Sequence, residues 1–347
     1  MSHTVKVLPS GHEFQVEDDE TILEAALRQG FAFPYGCRNG ACGSCKGKLL
    51  SGAVDYGAAG TPPGLSEEER SAGLALFCQA LPQGDVSIEV REIGAAKDIM
   101  IKTLPCRVAR MERLASDVMR LFLKLPATER LQFLAGQYLD ILLRDGRRRG
   151  FSIANAPHDD AFIELHVRLV EGGEFTGHVF NRMKEKDLLR IQAPLGSFFI
   201  REDSARPVIM MGGGTGFAPL KGMLEHFFHA GLKRPIHLFW GARAVRDLYL
   251  PDLPHAWAAS QPDFRYTPVL SEPLPDDAWQ GATGLVHEAV ARAYPDLGAY
   301  EVYMSGPPAM IAAARQAFKA HGLPEEQLYY DSFEFAADHR SSMAEAP

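Results

Sequence analysis

The 347-residue chain has little from which a membrane span, a secreted scaffold or a nucleic-acid surface could be built. No apolar run approaches the length of about 18 residues that crossing a bilayer requires. The opening MSHTVKVLPS has no apolar segment of the kind found in a secretory leader, so a reducing, cytoplasmic setting is expected. Positive charge is not in excess: 36 Lys and Arg stand against 44 Asp and Glu, for a net charge of −8. That balance argues against a nucleic-acid partner. Cysteine is scarce, with five in the whole chain. A disulfide framework is therefore not expected.

Four of those cysteines nevertheless form a pattern. Cys37, Cys42 and Cys45 give C-x4-C-x2-C, and Cys78 follows inside LFCQA. Plant-type [2Fe–2S] clusters, held by four thiolates, use this spacing. Gly36, Gly40, Ala41, Gly43 and Ser44 carry little bulk, so the backbone can wrap a cluster and aim N–H groups at its sulfurs. Structural zinc is the plain rival, but it ordinarily needs two knuckles, and only Cys42 and Cys45 form one. Cys106 is left over and reads as a small buried hydrophobe. A cluster of this kind carries one electron at a time, so the chain is expected to move electrons.

The negative charge is uneven. Residues 1–92 hold 13 Asp and Glu against 7 Lys and Arg, which leaves a net of only −2 for the rest. This suits solubility, and it equally suits steering towards a basic electron acceptor.

Length suggests two or three domains. TVKVLPSGHEFQVEDD reads as two strands around a Ser10-Gly11 turn. A helix then starts at Thr21, with Glu24 completing a capping box, and stops at Gly30. GLSEEERSAGLALF reads as a second helix, capped by Ser66 with Glu69 at the box position and delivering Cys78 at its end. DVSIEV closes a small β-grasp domain over 1–92. A linker is expected at 93–102. Short alternating strands over 103–203 (RVARMERL, VMRLFLKL, YLDILL, FIELHVRLV) suggest an antiparallel barrel. From 204 to 335 apolar strands alternate with helices, as in a parallel α/β sheet. The last residues, 336–347, are small and polar and read as a disordered tail.

Two glycine-rich strand ends stand out in the third region. VIMMGGGTGFAP places Gly212, Gly213, Gly214, Thr215 and Gly216 between a strand and a helix that Pro219 begins. Such a loop lets the backbone approach a pyrophosphate at a helix N-terminus. A glycine run alone also fits a tight turn, and the strand–glycine–helix setting is what favours the nucleotide. It is not a Walker A loop, because Phe217 follows Gly216. MSGPPAM carries Ser305, Gly306, Pro307 and Pro308, where a flat ring could lie against the backbone or a rigid turn could simply start a helix. In the barrel, Arg147 and Arg148 read as solvated charge. Arg149, Phe151 and Ser152 suit a flavin: a guanidinium for the diphosphate, a ring for stacking, a hydroxyl for N5. Phe151 would serve equally in a core. Gly172, Gly173 and Thr176 in EGGEFT offer N–H groups and a hydroxyl to the same diphosphate.

Together these motifs resemble the ferredoxin–NADP⁺ reductase superfamily over roughly 103–335. RGFS is similar to its R-x-[YF]-S flavin motif, GGEFT to its second phosphate motif, GGGTGFAP to its nicotinamide-nucleotide loop and SGPPAM to its C-G-P-P-x-M strand end. With the N-terminal ferredoxin, the whole resembles the NAD(P)H-dependent iron–sulfur flavoprotein reductases. That group includes reductase components of methane and phenol monooxygenases and benzoate-type dioxygenases, and the CDP-6-deoxy-Δ3,4-glucoseen reductases, which it resembles most. The resemblance implies NAD(P)H as donor, FAD as the exchanger between two-electron and one-electron chemistry, and a separate dehydrase or oxygenase as acceptor. It implies roles at the hydride-transfer site for Ser152 and Ser305, and a flavin-covering aromatic at Phe333 or Phe335. Phe151 stands where many members have Tyr, and Ser305 where many have Cys. Asp247, in GARAVRDLY, leans the donor towards NADH, although Arg243 and Arg246 lie beside it. A redox sensor is the alternative from another class, and the full hydride apparatus speaks against it.

Overall fold

The computed structural model describes residues 2–94 and 99–336. Residues 95–98 of the expected linker and nearly all of the expected tail lie outside them. The chain divides into two compact units. The first holds the residues up to 101 together with 195–197 and those from 334; the second holds 102–194 and 198–333.

In the first unit, β1 (His3–Leu8) and β2 (Glu13–Val16) form the expected hairpin, and α1 (Ile22–Arg28) follows. The capping box is present. Glu24 N–H donates to Thr21 Oγ1 at 3.2 Å, and Thr21 N–H donates to Glu24 Oε2 at 3.2 Å. Next come β3 (Lys46–Ser51), β4 (Val54–Asp55), α2 (Glu67–Ser71), β5 (Leu74–Leu76), β6 (Leu81–Pro82) and β7 (Val86–Glu89). One five-stranded sheet runs β2-β1-β7-β3-β5, with β1 and β7 parallel. The second helix is shorter than the sequence suggests. Ser66 and Glu69 do cap it, but Gly73, at φ +82°, ends it, and Leu74–Leu76 pair with β3 instead. Phe14, Ile22, Phe33, Leu76, Phe77 and Ile88 are among the residues of a single apolar core.

The second unit begins with β8 (Lys102–Ala115), β9 (Val118–Lys124), β10 (Tyr138–Leu142), β11 (Arg148–Ser152), β12 (Ile163–Arg168), α3 (Glu174–Asn181) and β13 (Leu188–Leu195). Their order is β11-β10-β13-β8-β9-β12, with β11–β10, β13–β8, β8–β9 and β9–β12 antiparallel. A bridge between Ile153 and Leu165 joins the two ends, so the sheet closes into the expected barrel. Inward-facing Leu121, Leu139, Ile153, Leu165, Val167 and Ile191 fill it.

The remaining elements are β14 (Val208–Gly213), α4 (Phe217–His229), β15 (Ile236–Ala242), α5 (Asp252–Ser260), β16 (Phe264–Leu270), β17 (Ala282–Thr283), α6 (Val286–Ala293), β18 (Glu301–Gly306), α7 (Pro308–Ala320) and β19 (Leu328–Ser332). Their sheet is parallel throughout, in the order β17-β16-β15-β14-β18-β19. The chain leaves β14 towards β15 on one side and returns to β18 on the other. That makes the carboxyl ends of β14 and β18 the switch point where open α/β sheets bind ligands.

Candidate functional site

The four cysteines of the spacing motif come together two and two. Cys37 and Cys42 share one loop: Cys37 N–H points at Cys42 Sγ at 3.4 Å and Cys42 N–H at Cys37 Sγ at 3.3 Å. Ser44 N–H also points at Cys42 Sγ, at 3.5 Å. A hydrogen bond from the Cys37 thiol pulls Cys42 down to about 6. Cys45 and Cys78 form the other pair, and their hydrogen bond pushes the Cys78 thiol up. No group of three or more metal-ligating side chains closes on one ion among the described residues. Two pairs of thiols, with backbone N–H groups turned to the sulfurs, fit a dinuclear cluster with two thiolates per iron better than one zinc. Cys106 lies in the barrel core, where burial pushes its thiol up to about 12, as suits an inert hydrophobe.

At the switch point, the glycine loop forms a single 3-10 turn over Gly214–Gly216 and passes straight into α4. The helix therefore starts at Phe217, two residues before Pro219; the proline sits in the first turn, whose N–H groups have no partner within the helix. No side chain caps that turn. Gly216 admits no side chain, since a Cβ there would strike the Ser305 carbonyl and come within 2.9 Å of Gly306 Cα. The two glycine-bearing strand ends thus lie against each other. Trp240 Nε1 donates to Gly214 O at 2.9 Å and pins the loop. Ser305 is fully buried, and its Oγ has no hydrogen-bond partner. A buried, unused hydroxyl beside a glycine loop that no side chain caps is the arrangement expected where a polar ligand completes the bonding.

Arg149 is half-buried on β11, and its Nη1 donates to Arg148 O at 2.9 Å. The neighbouring arginines have partners that the sequence did not suggest. Arg147 pairs with Asp145 and Glu174, and Arg148 Nη1 donates to Gln192 at 2.8 Å. The Arg147–Glu174 pair brings β11 beside the start of α3. There Gly173 is the N-cap and no side chain caps the first turn. Gly172, at φ +69°, turns the chain into it. Thr176 Oγ1 accepts from Val170 N–H at 3.1 Å, so this hydroxyl holds the loop's own shape. Phe151 is half-buried and packs on Phe175 at 5.5 Å. Ser152 is buried, and its Oγ lies 3.4 Å from Asp331 Oδ2 on β19. Sequence reasoning missed Asp331, whose only signal was its place in YYDSFEF. An open helix start beside an arginine strand suits a diphosphate, and a hydroxyl with a carboxylate behind it suits a flavin edge.

Two other positions are less open. Asp247 is buried, and its Oδ2 accepts from Arg243 Nε at 3.2 Å and Ala244 N–H at 3.3 Å. Phe335 is exposed and belongs to the residues grouped with the first unit; Phe333 N–H donates to Gly306 O at 3.0 Å.

A buried ionic network also went unseen. Lys221 Nζ, on α4, lies 3.2 Å from Glu164 Oε2, 3.2 Å from Ala154 O and 2.8 Å from Glu225 Oε1. Arg120 Nε reaches Glu164 Oε1 at 2.9 Å. Burial acts to raise Glu164, but His166, Lys221 and Arg120 outweigh it and hold the carboxyl well below its usual range. Burial keeps His166 neutral. Its Nε2–H then donates to Glu164 at 2.8 Å, and Nδ1 accepts from Tyr249 at 2.9 Å. The one trace in the sequence was a lysine inside the apolar run FAPLKGMLEHFF.

Residues 5–83 match the 2Fe-2S iron-sulfur cluster binding domain, 105–200 the oxidoreductase FAD-binding domain and 210–316 the oxidoreductase NAD-binding domain. The chain is 43% identical over 333 residues to the CDP-6-deoxy-L-threo-D-glycero-4-hexulose-3-dehydrase reductase of Yersinia pestis, covering 96% of this chain and 99% of that one. The chain belongs to the iron–sulfur flavoprotein reductases. Another member of this reductase family, the reductase component of phenol 2-monooxygenase from a Pseudomonas species, is 37% identical, with 97% and 96% covered. Among solved structures, an Amycolatopsis cytochrome P450 reductase is 34% identical and superposes with a TM-score of 0.79, covering 95% of this chain and 98% of that one. The reductase is thus an oxidoreductase with domains for a [2Fe–2S] cluster, FAD and a nicotinamide nucleotide. No helix among the described residues is long and apolar enough to cross a membrane.

Proposed function

We propose that this reductase passes electrons from NADH to a separate dehydrase acting on a CDP-6-deoxy-hexulose. The observation that carries the acceptor is the 43% identity, nearly end to end, with a reductase named for such a dehydrase. The second reading, an oxygenase reductase, rests on the 37% identity with the phenol system. Bound FAD supplies the exchange between hydride and single electrons. The chain's own groups are assigned as follows. Cys37, Cys42, Cys45 and Cys78 hold the cluster. Arg149, Gly172 and Gly173 take the flavin diphosphate, with Thr176 shaping that loop, while Phe151 flanks the ring. Ser152 hydrogen-bonds its reacting edge, with Asp331 behind. Gly212, Gly214, Thr215 and Gly216 take the nicotinamide nucleotide, and Ser305, Gly306 and Pro307 border its ring. By resemblance, an aromatic at Phe333 or Phe335 is the candidate to cover the flavin.

For the donor, Asp247 ties up Arg243, the cation that a 2′-phosphate would otherwise use, which favours NADH. Four thiolates on iron favour the cytoplasm as compartment. The acidic surface formed by Glu17, Asp18, Asp19, Glu20 and Glu24 suits docking to a basic acceptor.

Anaerobic titration with NADH, followed in the visible spectrum, tests the donor half: flavin and iron–sulfur bands should both bleach, with roughly three electrons taken up. The acceptor half is tested by adding a purified dehydrase with its CDP-hexulose, or a phenol hydroxylase with phenol, and following NADH oxidation. Stimulation by the hydroxylase alone would replace the first reading with the second.

A further inference from the structure

The glycine loop is held in place from a distance. Neither Gly214–Gly216 nor the first turn of α4 has a side-chain cap. A side-chain hydrogen bond comes instead from Trp240 on β15, whose Nε1 donates to Gly214 O. The indole stacks on Phe217, the first residue of α4, with ring centres 4.1 Å apart and planes 17° from parallel. Tyr249, between β15 and α5, meets the indole edge-on at 5.1 Å and the Phe217 ring at 6.3 Å. All three rings are buried, Trp240 and Phe217 completely. Close packing of this kind leaves no room for one ring to shift without the others.

The far end of the stack lies in the barrel. The Tyr249 hydroxyl donates to His166 Nδ1 at 2.9 Å, and His166 Nε2–H donates to Glu164 at 2.8 Å, with both partners on β12. Arg120 on β9 and Lys221 on α4 fix Glu164 in turn. A line of contacts within the second unit thus runs from barrel strand to imidazole, phenol, indole and loop carbonyl. A phenylalanine at 249 would serve the packing; the hydroxyl adds the link to the barrel.

We propose that Tyr249 and Trp240, anchored on His166, are positioning residues that set the glycine loop relative to the barrel, and so set how the donor ring meets the flavin. This rests on the reading that the nicotinamide nucleotide binds over that loop. The loop's backbone N–H groups serve binding wherever the loop sits, but hydride transfer needs the two modules in register. A misplacement of about 1 Å, caused far from the chemistry, can cost about 100-fold in rate. The brace therefore acts on the rate of transfer and not on affinity.

Tyr249→Phe keeps the ring and removes the link to the barrel; Trp240→Phe keeps a ring against Phe217 and removes the donor to the loop. The holoenzyme is compared by anaerobic stopped flow with NADH and with 1-benzyl-1,4-dihydronicotinamide, which has the reacting ring and no phosphate. With saturating NADH, each variant should reduce the flavin about 10–100-fold more slowly. The NADH concentration for half-saturation should change little. The phosphate-free donor, which has no need of the loop, should react at the wild-type rate. The double variant should lose no more than the worse single one, since both break the same line. In the nucleotide-free holoenzyme, amide hydrogen exchange over 212–217 should quicken in Tyr249→Phe. An unchanged rate with NADH overturns the proposal, and so does unchanged exchange. Additive losses in the double variant, or an equal fall with both donors, also overturn it. A raised half-saturation concentration at an unchanged rate would make the pair part of the binding contacts and overturn it too. If wild-type enzyme takes electrons from the phosphate-free donor but from neither NADH nor NADPH, the nucleotide reading itself fails, and the proposal with it.

Discussion

The two units are stabilised differently. All the described buried Asp, Glu, Lys, Arg and His side chains belong to the second, namely Asp140, Glu164, His166, Lys221, Arg234, Asp247 and Glu301, and so do neutral ones such as Ser305 and Asn155. The first buries apolar side chains, thiols and the phenol of Tyr35, but no charged side chain among the described residues, and keeps its ions at the surface, as with Lys46 and Glu69. A purely apolar core is indifferent to acid, whereas buried ion pairs become a liability once one partner changes charge. The contrast follows from what each unit must hold. A cluster is fixed by covalent bonds to sulfur, while a dinucleotide and a flavin are held by orientation, which a bonded polar network fixes.

The sharpest way to break this comparison is at the thiols. Cys45→Ala should abolish the cluster absorption and cut cytochrome c reduction by more than about 100-fold, since the one-electron carrier is gone. NADH-dependent ferricyanide reduction, which the flavin alone can support, should persist. Equal loss of both would show that the second unit depends on the first.

Next is Lys221→Met, which strands the Glu164 carboxylate. It should cost about 3–5 kcal/mol, read as a lower denaturant midpoint for flavin release. Lys46→Met, at the half-exposed pair of the first unit, should cost less than about 1 kcal/mol.

Acid should tell the same story. His166 is held below its ordinary 6.5, so below that pH the unfolded chain takes up a proton that the folded one refuses. The second unit should then lose up to about 1.4 kcal/mol per pH unit. Glu164, held below its ordinary 4.5, contributes stability above that value and loses it as pH falls further. His166→Gln should flatten the decline between pH 6.5 and 4.5 in thermal melts followed by flavin fluorescence. A comparably small effect is expected at the α1 cap, where Thr21→Ala should cost about 1 kcal/mol with no pH dependence in that range.

Much of this was legible in the sequence, for a physical reason. Cysteine spacing, capping boxes and strand–glycine–helix junctions are local, and the chain writes them in order. Thr21 with Glu24, the barrel strands and the loop from Gly212 to Gly216 were readable on those grounds. The end of α2 was misread because pairing of Leu74–Leu76 with β3 overrides a helical pattern. What stayed hidden is what folding brings together from afar. Asp331 lies 179 residues from Ser152, and Lys221 lies 57 from Glu164.

The two thiol pairs differ in how the chain makes them. Cys37 and Cys42 are neighbours within one short loop. Cys45 and Cys78 meet only because Lys46 pairs with Leu76 and Phe77 N–H donates to Cys45 O at 3.1 Å, with Phe77 sealed in the core. A nascent chain can therefore offer iron Cys37, Cys42 and Cys45 from one short stretch before folding, but Cys78 only afterwards. Cluster insertion is in this sense an inspection of the β3–β5 pairing, and a chain misfolded there would lack the cluster's absorption even with all four cysteines intact.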